Sequence, residues 1–188
     1  MKTLVLGSTG FIGSATMAEL DRRGVAARGL ASRELDLAEP DSAGALGRLI
    51  DQRTTLFVAC RAAQTGSRES IFSKDIAILS NLARCLEKNP PARCIYYSSL
   101  SVHGNAASNL AITEMTQTAP DSLYAISKFA GEIMLGQAAA KSAVPLLILR
   151  PPMVYGPGDT AISYGPARFI RSILEKGEDQ VSSTVPSC

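Results

Sequence analysis

The 188 residues carry 19 Lys and Arg against 17 Asp and Glu, a net charge of +2, with 46% hydrophobic residues and no tryptophan. The basic residues are scattered rather than striped, which gives neither the footprint of a nucleic-acid binder nor that of an anionic-membrane binder, and no uncharged apolar run is long enough to span a bilayer. The length suits one domain burying roughly 70% of its unfolded surface; an apolar strand starting at residue 2 leaves no room for a signal peptide, so a cytoplasmic protein is expected.

The first predicted element is a strand at Thr3-Leu4-Val5-Leu6, apolar and uncharged as a strand buried on both faces should be. Gly7-Ser8-Thr9-Gly10-Phe11-Ile12-Gly13 follows at once, with glycine at every third position. Gly7 suits a tight turn, Gly10 a close approach of backbone to ligand, and Gly13 a close contact between strand and new helix. The helix start offers free N–H groups and a positive dipole end, which a pyrophosphate would satisfy. A glycine spacing alone is weak, but a strand before it and a helix after it make this a dinucleotide turn.

Residues 11–23 read as the first helix, ended by Gly24, and 25–30 as the second strand, with a third, short strand at 35–37. Pro40 opens a helix predicted to run to about Gln52, and Leu56 to Ala59 is a buried strand. Residues 70–88 carry apolar side chains at helical spacing until Asn89-Pro90-Pro91, 94–98 form the next strand, and a long loop reaches Pro120. Asp121 or Ser122 caps a helix to about Ala140, 145–149 form the last strand, and 166–176 a short amphipathic helix. Strands alternating with helices predict an α/β fold with a Rossmann-type, doubly wound parallel sheet. The expected division is a dinucleotide-binding domain over 1–177 and an irregular tail over 178–188. Cys60, Cys85, Cys94 and Cys188 show no metal-ligand spacing and read as idle thiols, with no metal site.

In an open α/β sheet ligands bind beyond the carboxyl ends of the strands. Three stretches leave strands or open a helix there: Ser98-Ser99-Leu100-Ser101, Tyr124-Ala125-Ile126-Ser127-Lys128, and Arg150 to Gly158. Tyr124 and Lys128 stand four apart, on one helix face. A free phenol is a poor base at neutral pH, but a neighbouring ammonium favours its phenolate. A tyrosine so placed can take a proton from a hydroxyl while the carbon beneath gives up hydride. The hydroxyl of Ser99 could hold the reacting oxygen.

Together these stretches resemble the extended short-chain dehydrogenase/reductases, in particular the NAD-dependent epimerase/dehydratase branch acting on nucleotide sugars. The resemblance rests on Gly7-x-x-Gly10-x-x-Gly13 with its Phe11-Ile12 pair, on Ser98 to Gly104, and on Ile112-Thr113-Glu114. It continues through Pro120-x-Ser122-x-Tyr124-x-x-x-Lys128 and Leu149-Arg150-Pro151-x-x-Val154-Tyr155-Gly156-Pro157-Gly158. It implies Ser99, Tyr124 and Lys128 as catalytic, with Lys128 also gripping the nicotinamide ribose. Cofactor contacts are implied for Gly7, Thr9, Gly10, Phe11, Ile12, Gly13, Arg33, Asp36, Leu37, Ala59, Ser98, Tyr124, Lys128, Pro151 and Val154.

Leu100-Ser101 stands where the family's dehydratases carry an Asp-Glu pair, so epimerisation or carbonyl reduction is expected instead of dehydration. Met153 replaces an Asn that often holds the sugar nucleotide, and His103 replaces a Tyr. Relatives continue past residue 188, so the C-terminal substrate lobe is expected to be truncated. The cofactor is NAD(P): Arg33 could face a 2′-phosphate and Glu34 a ribose, which sets NADP narrowly ahead of NAD. The expected function is an NAD(P)-dependent nucleotide-sugar epimerase or reductase, without nucleic-acid or membrane partners. Self-association as a homodimer through 70–88 and 122–140 is expected, and the alternative function is a non-catalytic dinucleotide-binding sensor.

Overall fold

The computed structural model describes residues 2–104, 111–156, 158 and 173. The elements run β1 (Lys2–Leu6), α1 (Phe11–Arg22), β2 (Ala27–Leu30), α2 (Ser42–Gly47), β3 (Thr54–Val58), α3 (Arg68–Lys88), β4 (Arg93–Tyr97), α4 (Leu123–Lys141) and β5 (Leu146–Leu149). All pairings are parallel, in the order β2-β1-β3-β4-β5. The chain therefore reverses direction across the sheet between β1 and β3, and that switch point is where an open α/β sheet binds ligands. This is the expected Rossmann-type parallel sheet.

Strand residues two apart point to the same face. Leu4, Leu6, Leu56, Val58, Cys94 and Tyr96 join Leu46 of α2, Leu79, Leu82 and Leu86 of α3, and Leu135 and Ala138 of α4 in one core. The other face carries α1, whose Thr16 hydroxyl meets the Tyr97 hydroxyl at 3.0 Å. Farther along that face, on the edge strand β5, Leu147 is 54% exposed. The tight α3–α4 packing depends on Gly131, where a Cβ would stand 2.3 Å from the Tyr96 hydroxyl.

Several boundaries differ from the sequence expectation, each for a local hydrogen-bonding reason. The second strand starts at Ala27 instead of 25 because the Val25 N–H donates to Leu20 O, closing α1 around Gly24 at φ +67°. The strand expected at 35–37 is absent. Asp36 Oδ1 accepts the Ala38 N–H at 2.9 Å and Asp36 O accepts from Glu39, so the segment turns on itself. The helix expected from Pro40 to Gln52 is only Ser42–Gly47, giving way to a tighter bond from Leu49 N to Leu46 O. α3 starts two residues early, at Arg68, because Ser67 caps it through the Ser70 N–H. The loop after β4 holds a short 3₁₀ turn, Leu100–His103, nucleated by the Ser101 N–H donating to Ser99 Oγ. The expected helix 166–176 (residue 173 apart), the tail 178–188 and Cys188 lie outside the described residues.

Candidate active site

The glycine turn joins β1 to α1 with little spare room. Gly7 has φ +77°, and a Cβ there would sit 2.7 Å from the Cys60 backbone at the end of β3. At Gly13 a Cβ would stand 2.0 Å from Gly7 O, so the helix rests on the strand through bare backbone. Gly10 is different. It is exposed, and a Cβ there would meet only Gly7 O, at 3.3 Å, so the protein's own packing makes little use of the missing side chain. α3 and α4 begin with serine caps, Ser67 and Ser122, whereas α1 has no side-chain cap and no acidic residue in its first turn. An open, uncapped, unneutralised helix start is what a pyrophosphate would complete. Thr9 is exposed, Phe11 and Ile12 are half-buried, and Gly156 of the last loop comes within 3.9 Å of the Phe11 ring for a Cβ.

Beyond β2 the residues expected to read the adenosine end of the cofactor divide, Arg33 and Glu34 at the ribose and Asp36 and Leu37 at the adenine. Arg33 is exposed, with no ion pair or hydrogen bond among the described residues. Glu34 is committed to its own turn, its carboxylate accepting the Ala31 N–H at 2.9 Å. Asp36 holds the Ala38 N–H. Leu37 is buried in the core, and its carbonyl accepts from Ser42 and Asn81.

Tyr124 and Lys128 lie on consecutive turns of α4. Lys128 is 9% exposed; its Nζ donates to Tyr97 O at 2.8 Å, at the end of β4, and lies 5.3 Å from the centroid of the Tyr96 ring. Burial pushes its amine down to about 8, and the charge of Arg61 pushes the same way, against smaller opposing effects of Cys60 and Asp75. Tyr124 is partly exposed beneath the guanidinium of Arg61, whose Cζ stands 4.7 Å from the ring centroid. Ser99, two residues past Tyr97, is half-buried, with its Oγ accepting from Ser101 Oγ at 2.9 Å. Ala59 sits at the end of β3, its N–H on Leu6 O; Pro151 O accepts from Leu100, and Val154 is exposed.

The sequence alone singles out Ser98, His103 and Arg150 but neither Asp75 nor Glu132, nor the contacts that join these polar groups beneath the site. Ser98 is buried, and its hydroxyl donates to Glu132 Oε1 at 2.5 Å. Glu132 also holds Arg150, which touches His103 Nε2 at 3.3 Å. His103 is buried, with Nδ1 3.2 Å from Gln117 O, and so is packed away from solvent. Asp75, buried in α3, accepts the Ala62 N–H at 2.7 Å. The signal was present: Asp75 and Glu132 are acidic residues on the inward, apolar faces of their helices, and buried acids need partners. The thiols of Cys60, Cys85 and Cys94 are free, and burial raises them to about 11, 12 and 12.

Residues 3–185 match the NAD dependent epimerase/dehydratase family. This chain belongs to that family. UDP-glucuronate 4-epimerase 1 of Arabidopsis thaliana is 31% identical to it over 205 residues, 93% of this chain and 47% of the relative. This family member thus spans about half the length of the curated relative it matches. Among solved structures it is similar to UDP-glucuronic acid 4-epimerase of Bacillus cereus in complex with NAD (TM-score 0.72, 23% identity, 93% of this chain and 64% of that one). The UDP-glucose 4-epimerase of Thermus thermophilus, also in complex with NAD, gives TM-score 0.77 at 22% identity, over 93% and 62% of the two chains. Those likenesses establish the fold. Among the described residues, no helix of this epimerase-family chain is long and apolar enough to cross a membrane.

Proposed function

We propose that this chain forms the dinucleotide-binding half of a nucleotide-sugar epimerase or reductase and that Tyr124, Lys128 and Ser99 handle the proton of the sugar hydroxyl. The observation that carries this reading is the placement of Lys128, a cation buried on the face it shares with Tyr124 and bonded to the end of β4 two residues before Ser99. A bound dinucleotide would supply the hydride chemistry, accepting hydride from the sugar carbon and, in an epimerase, returning it to the other face. The uncapped start of α1 and the open Gly10 would hold the pyrophosphate. Tyr124 Oη would take the hydroxyl proton, Ser99 Oγ would hold the reacting oxygen, and Lys128 would favour the phenolate by charge. Lys128 would also hold the nicotinamide ribose.

The reading favours a uridine-diphosphate sugar because relatives named for such substrates share the fold. Arg33, exposed and unpaired among the described residues, keeps NADP narrowly ahead of NAD, and soluble expression in the cytoplasm belongs to the same reading. So does a homodimer, although Gly131 is consumed inside the subunit and leaves Ile126, Ile133 and Gly136 on the outer face of α4. Light scattering distinguishes dimer from monomer. The functional test is incubation with UDP-glucose or UDP-glucuronate and either dinucleotide, followed by product chromatography and absorbance of the reduced nicotinamide. Turnover lost in Tyr124→Phe, with dinucleotide affinity kept, supports the assignment. Turnover kept in that variant defeats it; dinucleotide binding without turnover in the unaltered chain is expected of this half alone and does not by itself favour the sensor.

A further inference from the structure

Arg61 and Asp75 form a charged unit that neither the family pattern nor the proton-transfer scheme uses. Arg61 lies three residues past β3, at the switch point of the sheet. Asp75 is on α3, with a side chain 7% exposed against 34% for Arg61, and its Oδ2 stands 3.6 Å from Arg61 Nη2. The same carboxylate accepts the Ala62 N–H and lies 3.3 Å from Ser127 Oγ, which in turn sits 2.9 Å from Tyr124 O. One buried acid therefore ties the loop after β3 to α4 between Tyr124 and Lys128.

We propose that Arg61 is a positioning residue of this site: Asp75 holds its guanidinium on the Tyr124 ring, where it fixes the ring and sets a second positive charge beside Lys128. The inference rests on the proposed roles of Tyr124 and Lys128. A solvated surface ion pair would contribute little, but Asp75 is buried and so requires its partners. The planar guanidinium suits stacking on an aromatic face in a way a lysine does not.

The groups facing Lys128 are Cys60 and Arg61 from the loop after β3, Asp75 from α3, Tyr96 and the Tyr97 carbonyl from β4, and Tyr124 on its own helix. Among these Arg61 adds a repulsive cation, so it and burial act together to hold the Lys128 amine down to about 8.

The experiment is an NMR titration of ¹³C-lysine-labelled protein without cofactor, the Lys128 resonance being identified by its loss in Lys128→Arg. Arg61→Gln should move the Lys128 midpoint upward, because a repulsive charge has gone, and Arg61→Lys should restore the low midpoint. Circular dichroism checks that both variants fold. If Arg61→Gln is unfolded, Arg61→Gln combined with Asp75→Asn removes both charges and leaves no buried acid unpaired. In that background, adding back Arg61 alone must lower the midpoint. A Lys128 midpoint unmoved by loss of Arg61 overturns the proposal. NADPH and NADH binding, followed by fluorescence on the same samples, separates the two readings: binding of neither dinucleotide with a moved midpoint defeats the cofactor assignment and leaves the role of Arg61 standing.

Discussion

Arg150, just beyond β5, and Glu132 of α4 face each other through two hydrogen bonds, Nε to Oε1 at 2.9 Å and Nη2 to Oε2 at 2.6 Å. Glu132 is almost wholly buried, and the pairing holds the Arg150 guanidinium above its ordinary pKa. Because Ser98 donates to the same carboxylate, the ends of β4 and β5 are both anchored to the helix that carries Tyr124 and Lys128.

Removing one partner strands a buried charge, so Arg150→Met should destabilise the protein by about 3–5 kcal/mol. Combining it with Glu132→Met should cost clearly less than the sum of the single changes, since neither charge is then left alone. Urea unfolding of the four proteins measures this. Additive effects would show that the two groups do not depend on each other.

The glycine turn separates stability from binding. Gly13→Ala places a methyl 2.0 Å from Gly7 O, a backbone atom with nowhere to go, and should cost at least 2–3 kcal/mol, about the scale of a strained core insertion. Gly10→Ala meets only Gly7 O, at 3.3 Å, and should cost less than about 1 kcal/mol while weakening NADH binding at least about tenfold, or ~1.4 kcal/mol. Thermal unfolding and NADH fluorescence give the two numbers. A Gly10→Ala protein that binds as well as wild type would remove the pyrophosphate from this turn.

The sheet, its helices and the glycine turn were legible because each follows from local pattern: apolar runs, helical spacing, and glycine where backbone must touch backbone. The 35–37 strand misled because Leu35 and Leu37 alternate as a strand does, while Asp36 spends its side chain on a turn. The networks under the site were harder to read. Glu132 finds Arg150 across 18 positions and Asp75 of α3 finds Arg61 back in the loop after β3, so only the fold reveals the partner. What the sequence did offer was an acid in each apolar helix face, a sign that a partner must exist without saying which.

The proposed preference for NADP rests on Arg33, exposed beyond β2 while Glu34 is bonded to the Ala31 N–H. Arg33→Ala should weaken NADPH binding about five- to tenfold, near 1 kcal/mol for one exposed charge-assisted contact, and leave NADH binding nearly unchanged. Fluorescence titration with both dinucleotides decides it. Equal losses for the two would show that Arg33 does not read the 2′-phosphate.

The charge of Lys128 should also show in binding. Its amine titrates at about 8, so the ammonium is present below that pH and lost above it. NADH affinity should hold from pH 6 to 7.5 and fall as pH rises past 8, a trend absent in Lys128→Met. A flat profile to pH 9.5 would mean that the charge takes no part in holding the cofactor.

The same buried ammonium has a cost for folding. In the unfolded chain the amine titrates near 10.5, and in the folded chain near 8, so the folded state disfavours the charge. The penalty is full below pH 8 and shrinks as pH rises from 8 to 10.5, the window in which the unfolded chain binds the proton and the folded chain does not. At 1.36 kcal/mol per unit it amounts to about 3 kcal/mol. Lys128→Met removes the penalty and loses the bond to Tyr97 O, worth about 1 kcal/mol. The variant should therefore be more stable than wild type by about 1–2 kcal/mol at pH 7, with the gain fading by pH 9.5. Cofactor affinity should fall at the same time, because on the proposed reading the Lys128 charge serves binding at the expense of stability. Urea unfolding of both proteins at the two pH values is the measurement. A variant less stable than wild type at pH 7 would show that the hydrogen bond to β4 outweighs the burial of the charge.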